Sequence, residues 1–339
     1  MIDFRYHLVS LISVFLALAV GIILGAGPLQ GTLGETLTRQ VDSLREERND
    51  LRAQLDATTG FLQADETFLA AAAPRLLDGA LAGRHVAVVS LGEVPAATRS
   101  GVTEQLEAAG ADVVGTARLP VTWTSVEEET SQETVAEGLR RYLTDAGIET
   151  PRDEPATTLG AAVALALVGT GPAGSRSDDA VDLESQLERF DLLDVAGEQT
   201  APADAVVLLT AAPVTEDGAE ASAYAALGTP EPEPEPTVSP SAEPASPRHA
   251  GDVWTAAAAG ASLVSGTLVL SGPAGDGDDP VQRVRSDDEL ARDLTTVSDP
   301  ASLVGQVTVP LALAAASAGQ DGHYGPEADA TAIPPVPGE

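Results

Sequence analysis

The chain contains no cysteine and no lysine, and its single methionine is Met1. Without cysteine there is no lipoprotein anchor and no thiolate to build a soft-metal site. The absence also fits an exported chain without requiring one. Cations are scarce: all eighteen basic residues are arginine, against 52 Asp and Glu, for a formal charge of -34. Such a surface repels nucleic-acid phosphates and anionic lipid headgroups, so neither is expected as a ligand of the exported part. Catalytic signatures are missing too. The loop after the first expected strand, Ser90–Pro95, carries neither GxGxxG nor GxxxxGK[ST], and no GxSxG occurs. The histidines, His7, His85, His249 and His323, form no close pair in sequence. No enzyme activity and no cofactor are expected.

What is present begins at the front. No charged residue occurs from Leu8 to Gly34, and Leu8–Ala26 is dominated by Leu, Ile, Val, Ala and Phe. That length matches a lipid-spanning helix, and glycine is common in such helices. The apolar core is longer than the 7–15 residues usual in a signal sequence. An uncleaved anchor over 1–34 is therefore expected, although the small residues Gly25–Gly27 leave a cleavage site open. Arg5 precedes the span and Arg39 is the nearest arginine after it, which gives only a slight orientation bias. The simplest topology is single-pass, in the cell membrane or envelope, with the C-terminal domain extracytoplasmic.

The segment 35–73 reads as a helical coiled-coil stalk. Leu37, Val41, Leu44, Leu51, Leu55 and Leu62 follow a 4,3 repeat, with Arg48 and Thr58 filling the remaining core positions. A seam of this kind predicts a homo-oligomer, with Arg48 at an a position selecting register or oligomer number. The alternative is one amphipathic helix packed back on its own globular domain. Gly60 should weaken the helix, and Pro74 should restrict its continuation.

From 80 to 325 the pattern is α/β. His85–Leu91 is a β-branched run between Gly83 and Gly92, followed by a helical segment Thr98–Ala109 stopped at Gly110, then a strand Asp112–Ala117. Strand, helix, strand at this spacing predicts a right-handed βαβ unit. Helices are expected over Ser131–Ala146, Thr157–Leu167, Val181–Phe190 and Leu303–Ala318, with a buried strand as the alternative near the end of the second. Ala205–Leu209 and Thr267–Ser271 read as strands, and Thr295–Ser298 as a short edge strand. These elements predict a mostly parallel sheet with helices on both faces. Residues 229–247, dense in Pro and Glu, read as a disordered insertion, and 326–339 as a disordered tail.

Two segments could carry chemistry. The loop Gly272–Pro280 offers Asp276, Asp278 and Asp279 to a hard cation, but without the glutamate that closes a calcium loop. Gln320–Gly325 places His323 and Tyr324 between glycines, which suggests a structural turn closing the last helix. His323 and the three aspartates are the weak metal candidates.

The opening Phe4-Arg5-Tyr6-His7-Leu8-Val9-Ser10, the run Phe15–Gly21, the stalk, GRHVAVVSL at 83–91, TTVSDPASLVGQV at 295–307 and GHYG at 322–325 resemble the actinobacterial copper transporter family. That resemblance covers nearly the whole chain outside the Pro/Glu insertion. It implies an envelope protein of copper homeostasis, with copper ions as cargo and an oligomeric channel or export component as its form. The residues by themselves supply an anchor and a stalk but no metal relay. On mechanism they favour the alternative, a non-enzymatic structural or interaction module, held to the bilayer through Leu8–Ala26, with other envelope proteins as partners and no direct metal transport.

Overall fold

In the computed structural model, residues 4–26, 29–211, 246–275 and 277–335 are described. Most of the Pro/Glu-rich insertion, residues 229–245, lies outside them, as does Asp276. The chain divides into two compact units, Met1–Asp65 and Glu66–Glu339.

The first unit is helical. Helix α1 spans Phe4–Ala26, and its window Tyr6–Ile23 has a mean hydropathy of 2.3 with none of it buried within the protein. Among the described residues it is the one helix long and apolar enough to cross a membrane. Helix α2 runs from Leu29 to Leu77, so it crosses from the first unit into the second. At 1.5 Å per residue its 49 residues extend about 73 Å. It passes through both Gly60 and Pro74, where the sequence suggested a weakening and a limit. Glycine costs only about 1 kcal/mol in a helix interior, which the surrounding Leu, Ala, Gln and Glu residues offset. Pro74 falls within the last turn, where Ala73 and Leu77 are buried against the body.

The second unit is built on a seven-stranded sheet in the order β3-β2-β1-β4-β5-β6-β7. Its strands are β1 (His85–Leu91), β2 (Asp112–Leu119), β3 (Asp194–Val195), β4 (Ala205–Thr210), β5 (Leu268–Gly272), β6 (Thr295–Ser298) and β7 (His323–Tyr324). Only β3 runs antiparallel, against β2. The expected βαβ unit forms through α3 (Ala96–Ala108), with Val88 opposite Thr116 and Ser90 opposite Arg118. Strand order reverses between β1 and β4.

Alternation along the buried strands divides the core in two. Ala87, Val89, Leu91, Val206, Leu208 and Leu270 face one way. They meet α4 (Glu129–Asp145), α5 (Pro155–Val168), α6 (Asp178–Arg189), α7 (Pro247–Ser262) and α8 (Pro280–Ser286) in one cluster. Val86, Val88, Val207, Leu209, Val269 and Val297 face the other way, against α3, the end of α2 and α10 (Leu303–Ser317). A four-residue helix α9 (Leu290–Asp293) precedes β6. The segment at 157–167 is helix throughout, opened by Pro155 at its first turn, where the missing N–H costs nothing. It crosses α7 so closely that a Cβ on Gly160 would overlap the Ala257 carbonyl, and one on Gly260 the Thr157 carbonyl.

The C-terminal edge departs from the sequence reading. Thr295–Ser298 is an interior strand, not an edge, because β7 pairs with it: Thr296 opposite His323 and Val297 opposite Tyr324. The segment expected to be a turn is therefore a strand. Two residues are too few for alternation to reveal it. Within the stretch expected to be a disordered tail, Thr331 returns to this edge. The Thr331 N–H donates to the His323 carbonyl at 2.8 Å, and Gly325 N–H to the Thr331 carbonyl at 3.1 Å.

Candidate functional site

The β6–β7 edge gathers the polar residues of the GHYG segment around one cation. Arg285, from the last turn of α8, has a side chain only 1% exposed. Its Nε donates to Thr296 Oγ1 at 2.9 Å and its Nη2 to Ser298 Oγ at 2.8 Å and the Tyr324 carbonyl at 3.0 Å. Nη1 donates to Glu327 Oε2 at 3.1 Å, and Ser298 Oγ donates to the same oxygen at 2.7 Å. A buried guanidinium requires this degree of pairing, since desolvating a charge costs several kcal/mol. The two outer glycines of GHYG permit the approach. A Cβ on Gly325 would overlap Ser298 Oγ and Glu327, and one on Gly322 would lie 2.7 Å from Tyr324 Oη.

His323 extends the network. Its Nδ1 lies 2.9 Å from Thr296 Oγ1. That hydroxyl also accepts from Arg285, so it links the imidazole to the guanidinium network. Burial first, and then the Arg285 charge, hold His323 below the ordinary imidazole value of 6.5; the Ala291 carbonyl and Asp329 pull the other way. A base depressed in the fold takes up its proton more readily once unfolded. Stability therefore declines as pH falls below about 6.5, until the folded ring itself titrates. Asp299 is raised by burial and so has the opposite slope, losing stability as pH rises above its ordinary 3.8. We expect denaturant midpoints, compared at about pH 7.5 and pH 5.5, to fall less in His323→Gln than in the unaltered protein. Asp299 is common to both chains, so the difference between them isolates His323.

The other metal candidates are held in separate places. Asp278 Oδ1 accepts from Arg283 Nη2 at 3.1 Å, and the same arginine reaches Asp252 at 2.6 Å. Asp279 is buried, and its Oδ2 accepts from the Gly275 N–H at 3.0 Å, closing the loop before α8. Asp276 lies outside the described residues. Among the described residues no group of three or more His, Asp or Glu side chains is arranged to hold a metal ion. His85 stands at the opposite end of the strands, where its N–H donates to Asp204.

On α2 the residues expected to form a seam, Val41, Leu44, Leu51 and Leu55, are exposed, Leu44 by 63% and Leu51 by 59%. Arg48 hydrogen-bonds the neighbouring Asn49, and Leu62 is half-buried. Leu37 is helical, with its side chain outside the described residues. Arg285 and Glu327 were not anticipated from the sequence. Arg285 sits in an ordinary polar run, and Glu327 falls in the stretch assigned to the tail; no local pattern announces a pair 42 residues apart.

The described residues thus comprise one helix long and apolar enough to cross a membrane, a long second helix and an α/β body on a mostly parallel sheet. The chain belongs to the family of the copper transport outer membrane protein MctB, whose model matches residues 1–335. It is 28% identical over 341 residues to the copper transporter MctB of Mycobacterium tuberculosis strain H37Rv, covering 96% of each chain. The Mycobacterium bovis protein of the same description matches equally. The Mycobacterium leprae copper transporter MctB is 49% identical over 55 residues, 16% of this chain and 15% of that one. The family role is copper transport in the envelope of actinobacteria, and its members are transport proteins, not enzymes.

Proposed function

We propose that this chain is a single-pass envelope component of copper homeostasis that works as a homo-oligomer. In this reading residues 1–34 anchor it, 35–73 form a coiled-coil stalk, and 80–325 form an extracytoplasmic α/β domain. The observation that carries the proposal is the exposed seam of α2, four aliphatic side chains at heptad spacing without an apolar partner in one copy. One apolar helix cannot enclose an aqueous pore, so passage of copper ions would belong to the assembly and not to the single chain. The copper ion is cargo here. A chain without cysteine or internal methionine offers it no soft donor set, and His323 with Asp278 and Asp279 would serve the architecture.

The test is copper flux into sealed liposomes, under reducing conditions, for the full-length protein against a protein-free control and residues 80–325. Flux that requires the full chain and rises more steeply than its surface density supports an oligomeric conductor. Absence of flux at every density would reject conduction. The remaining reading would be an interaction module without direct metal transport, compatible with a copper-sensitive deletion strain acting through partners.

A further inference from the structure

The body has a second surface feature, remote in sequence from both the Arg285 network and the stalk. Two clefts adjoin over the 3-10 turn Val121–Thr124 and the α6–β3 connection, sharing Thr122 and Asp191. One measures about 490 Å3 and the other about 160 Å3. Each is lined by an apolar side chain left half in solvent: Val121 in the larger, and Phe190, 50% exposed, in the smaller. This turn is held rigidly from beneath. Trp123 Nε1 donates to the Leu192 carbonyl at 2.8 Å, and the Trp123 ring lies 5.9 Å from that of Trp254.

Carboxylates dominate the charged lining of the clefts. Arg118 is the one cation lining them, and it is spent on Glu93 at 2.6 Å and Asp194 at 2.7 Å. The carboxylates of Glu128, Glu188 and Asp191 meet no cation among the described residues. Gln132, 6% exposed, also lines the smaller cleft. Its Nε2 donates both hydrogens, to the Thr122 and Trp123 carbonyls at 2.9 and 3.1 Å. Two carbonyl acceptors fix the amide orientation, so its Oε1 is an acceptor that no described residue supplies with a donor. The surface combines apolar anchors with carboxylates that no described cation pairs.

We propose that these clefts dock an extended segment of a partner protein that bears Arg or Lys side chains with an aliphatic side chain between them. The cations would meet Glu128, Glu188 and Asp191, a backbone or side-chain N–H would meet Gln132 Oε1, and the aliphatic group would cover Phe190 and Val121. A second copy of this chain is a poor occupant, since each copy carries a formal charge of -34 and no lysine. Anionic lipid is repelled for the same reason. Rim charges of this kind chiefly set association rate and salt dependence, whereas a buried apolar anchor sets residence time.

The probe is a fluorescein-labelled peptide amide, Arg-Leu-Arg-Leu-Arg, titrated by anisotropy against the full-length protein in non-ionic detergent at about 0.15 M salt. Phe190→Ser should weaken binding about tenfold and Glu128→Gln/Asp191→Asn about fivefold, and replacing the leucines of the peptide by glycine should mimic the first change. Asn tolerates the positive φ of Asp191, so the second variant keeps the turn. Glu104→Gln/Glu107→Gln on α3 removes the same charge elsewhere and should leave binding within about twofold. Equal loss in the α3 variant would mean diffuse attraction and overturns the proposal. So does unchanged binding in both cleft variants, or a fall in oligomer mass on Phe190→Ser with peptide binding intact, which would make the clefts a contact between copies.

Discussion

Replacing Arg285 by Ala should lower the unfolding free energy of the body by about 3–5 kcal/mol, the range for removing one partner of a buried ion pair. The side chain is 1% exposed and Glu327 remains 24% exposed, so water replaces little of what is lost. Glu327 Oε2 would keep only the Ser298 hydroxyl, and the Tyr324 carbonyl, Thr296 and Ser298 would each lose a charge-assisted donor. Lysine should not rescue the variant, because an ammonium cannot present the planar fork that serves four acceptors at once. Both tryptophans, Trp123 and Trp254, are buried in the α4–α8 side of the core, so their fluorescence during urea unfolding of the full-length protein follows the body. Arg283→Ala is the matched control. Its carboxylate partners Asp252 and Asp278 are about half exposed, and the loss should be near 1 kcal/mol. If Arg285→Ala and Arg283→Ala cost the same, the β6–β7 edge is not secured by the buried network.

This network explains what sequence reading could and could not reach. The strands β1, β2, β4 and β5 were legible because each is an apolar run long enough to show itself between glycines or prolines. The helices over 96–108, 129–145 and 155–168 were legible from their periodicity or apolar length, with boundaries displaced by two residues at most. Strands β3 and β7 were not, because a pair of residues has no period and is specified by its neighbour, β2 or β6. GHYG stood out as a motif, but its reason was invisible. The glycines exist to let Ser298, Glu327 and the Tyr324 ring approach, and two of those three contacts come from other segments of the chain. The clefts beside Thr122 were hidden for the same reason, since they join a turn after β2 to the end of α6. Compositional readings fared differently. The lack of lysine and the acidity were plain from the sequence, but only the fold shows that carboxylates gather around one committed arginine there.

The seam of α2 offers the other large effect. Leu44→Asp/Leu51→Asp should abolish self-association of the full-length protein in mild detergent, leaving a single-chain mass by sedimentation or light scattering. The two positions are seven residues apart and occupy equivalent places in successive heptads, so the charges enter adjacent layers of the same kind. Burying an unpaired carboxylate between helices costs several kcal/mol, and in a parallel pair each layer would place two of them face to face. In one copy the same side chains are 63% and 59% exposed, so aspartate at either position disturbs little there. Helical content and the urea midpoint reported by Trp123 and Trp254 should accordingly stay close to those of the unaltered chain. Arg48→Leu, at the polar layer between them, should act in the other direction and strengthen assembly, since it replaces a desolvated charge by an apolar knob. An unchanged mass in the double variant would show that α2 is not the main determinant of assembly and would remove the basis for conduction by a stalk-held oligomer. A single-chain mass together with lost copper flux would tie transport to the seam, because the α/β body and the α1 anchor are left intact in that variant.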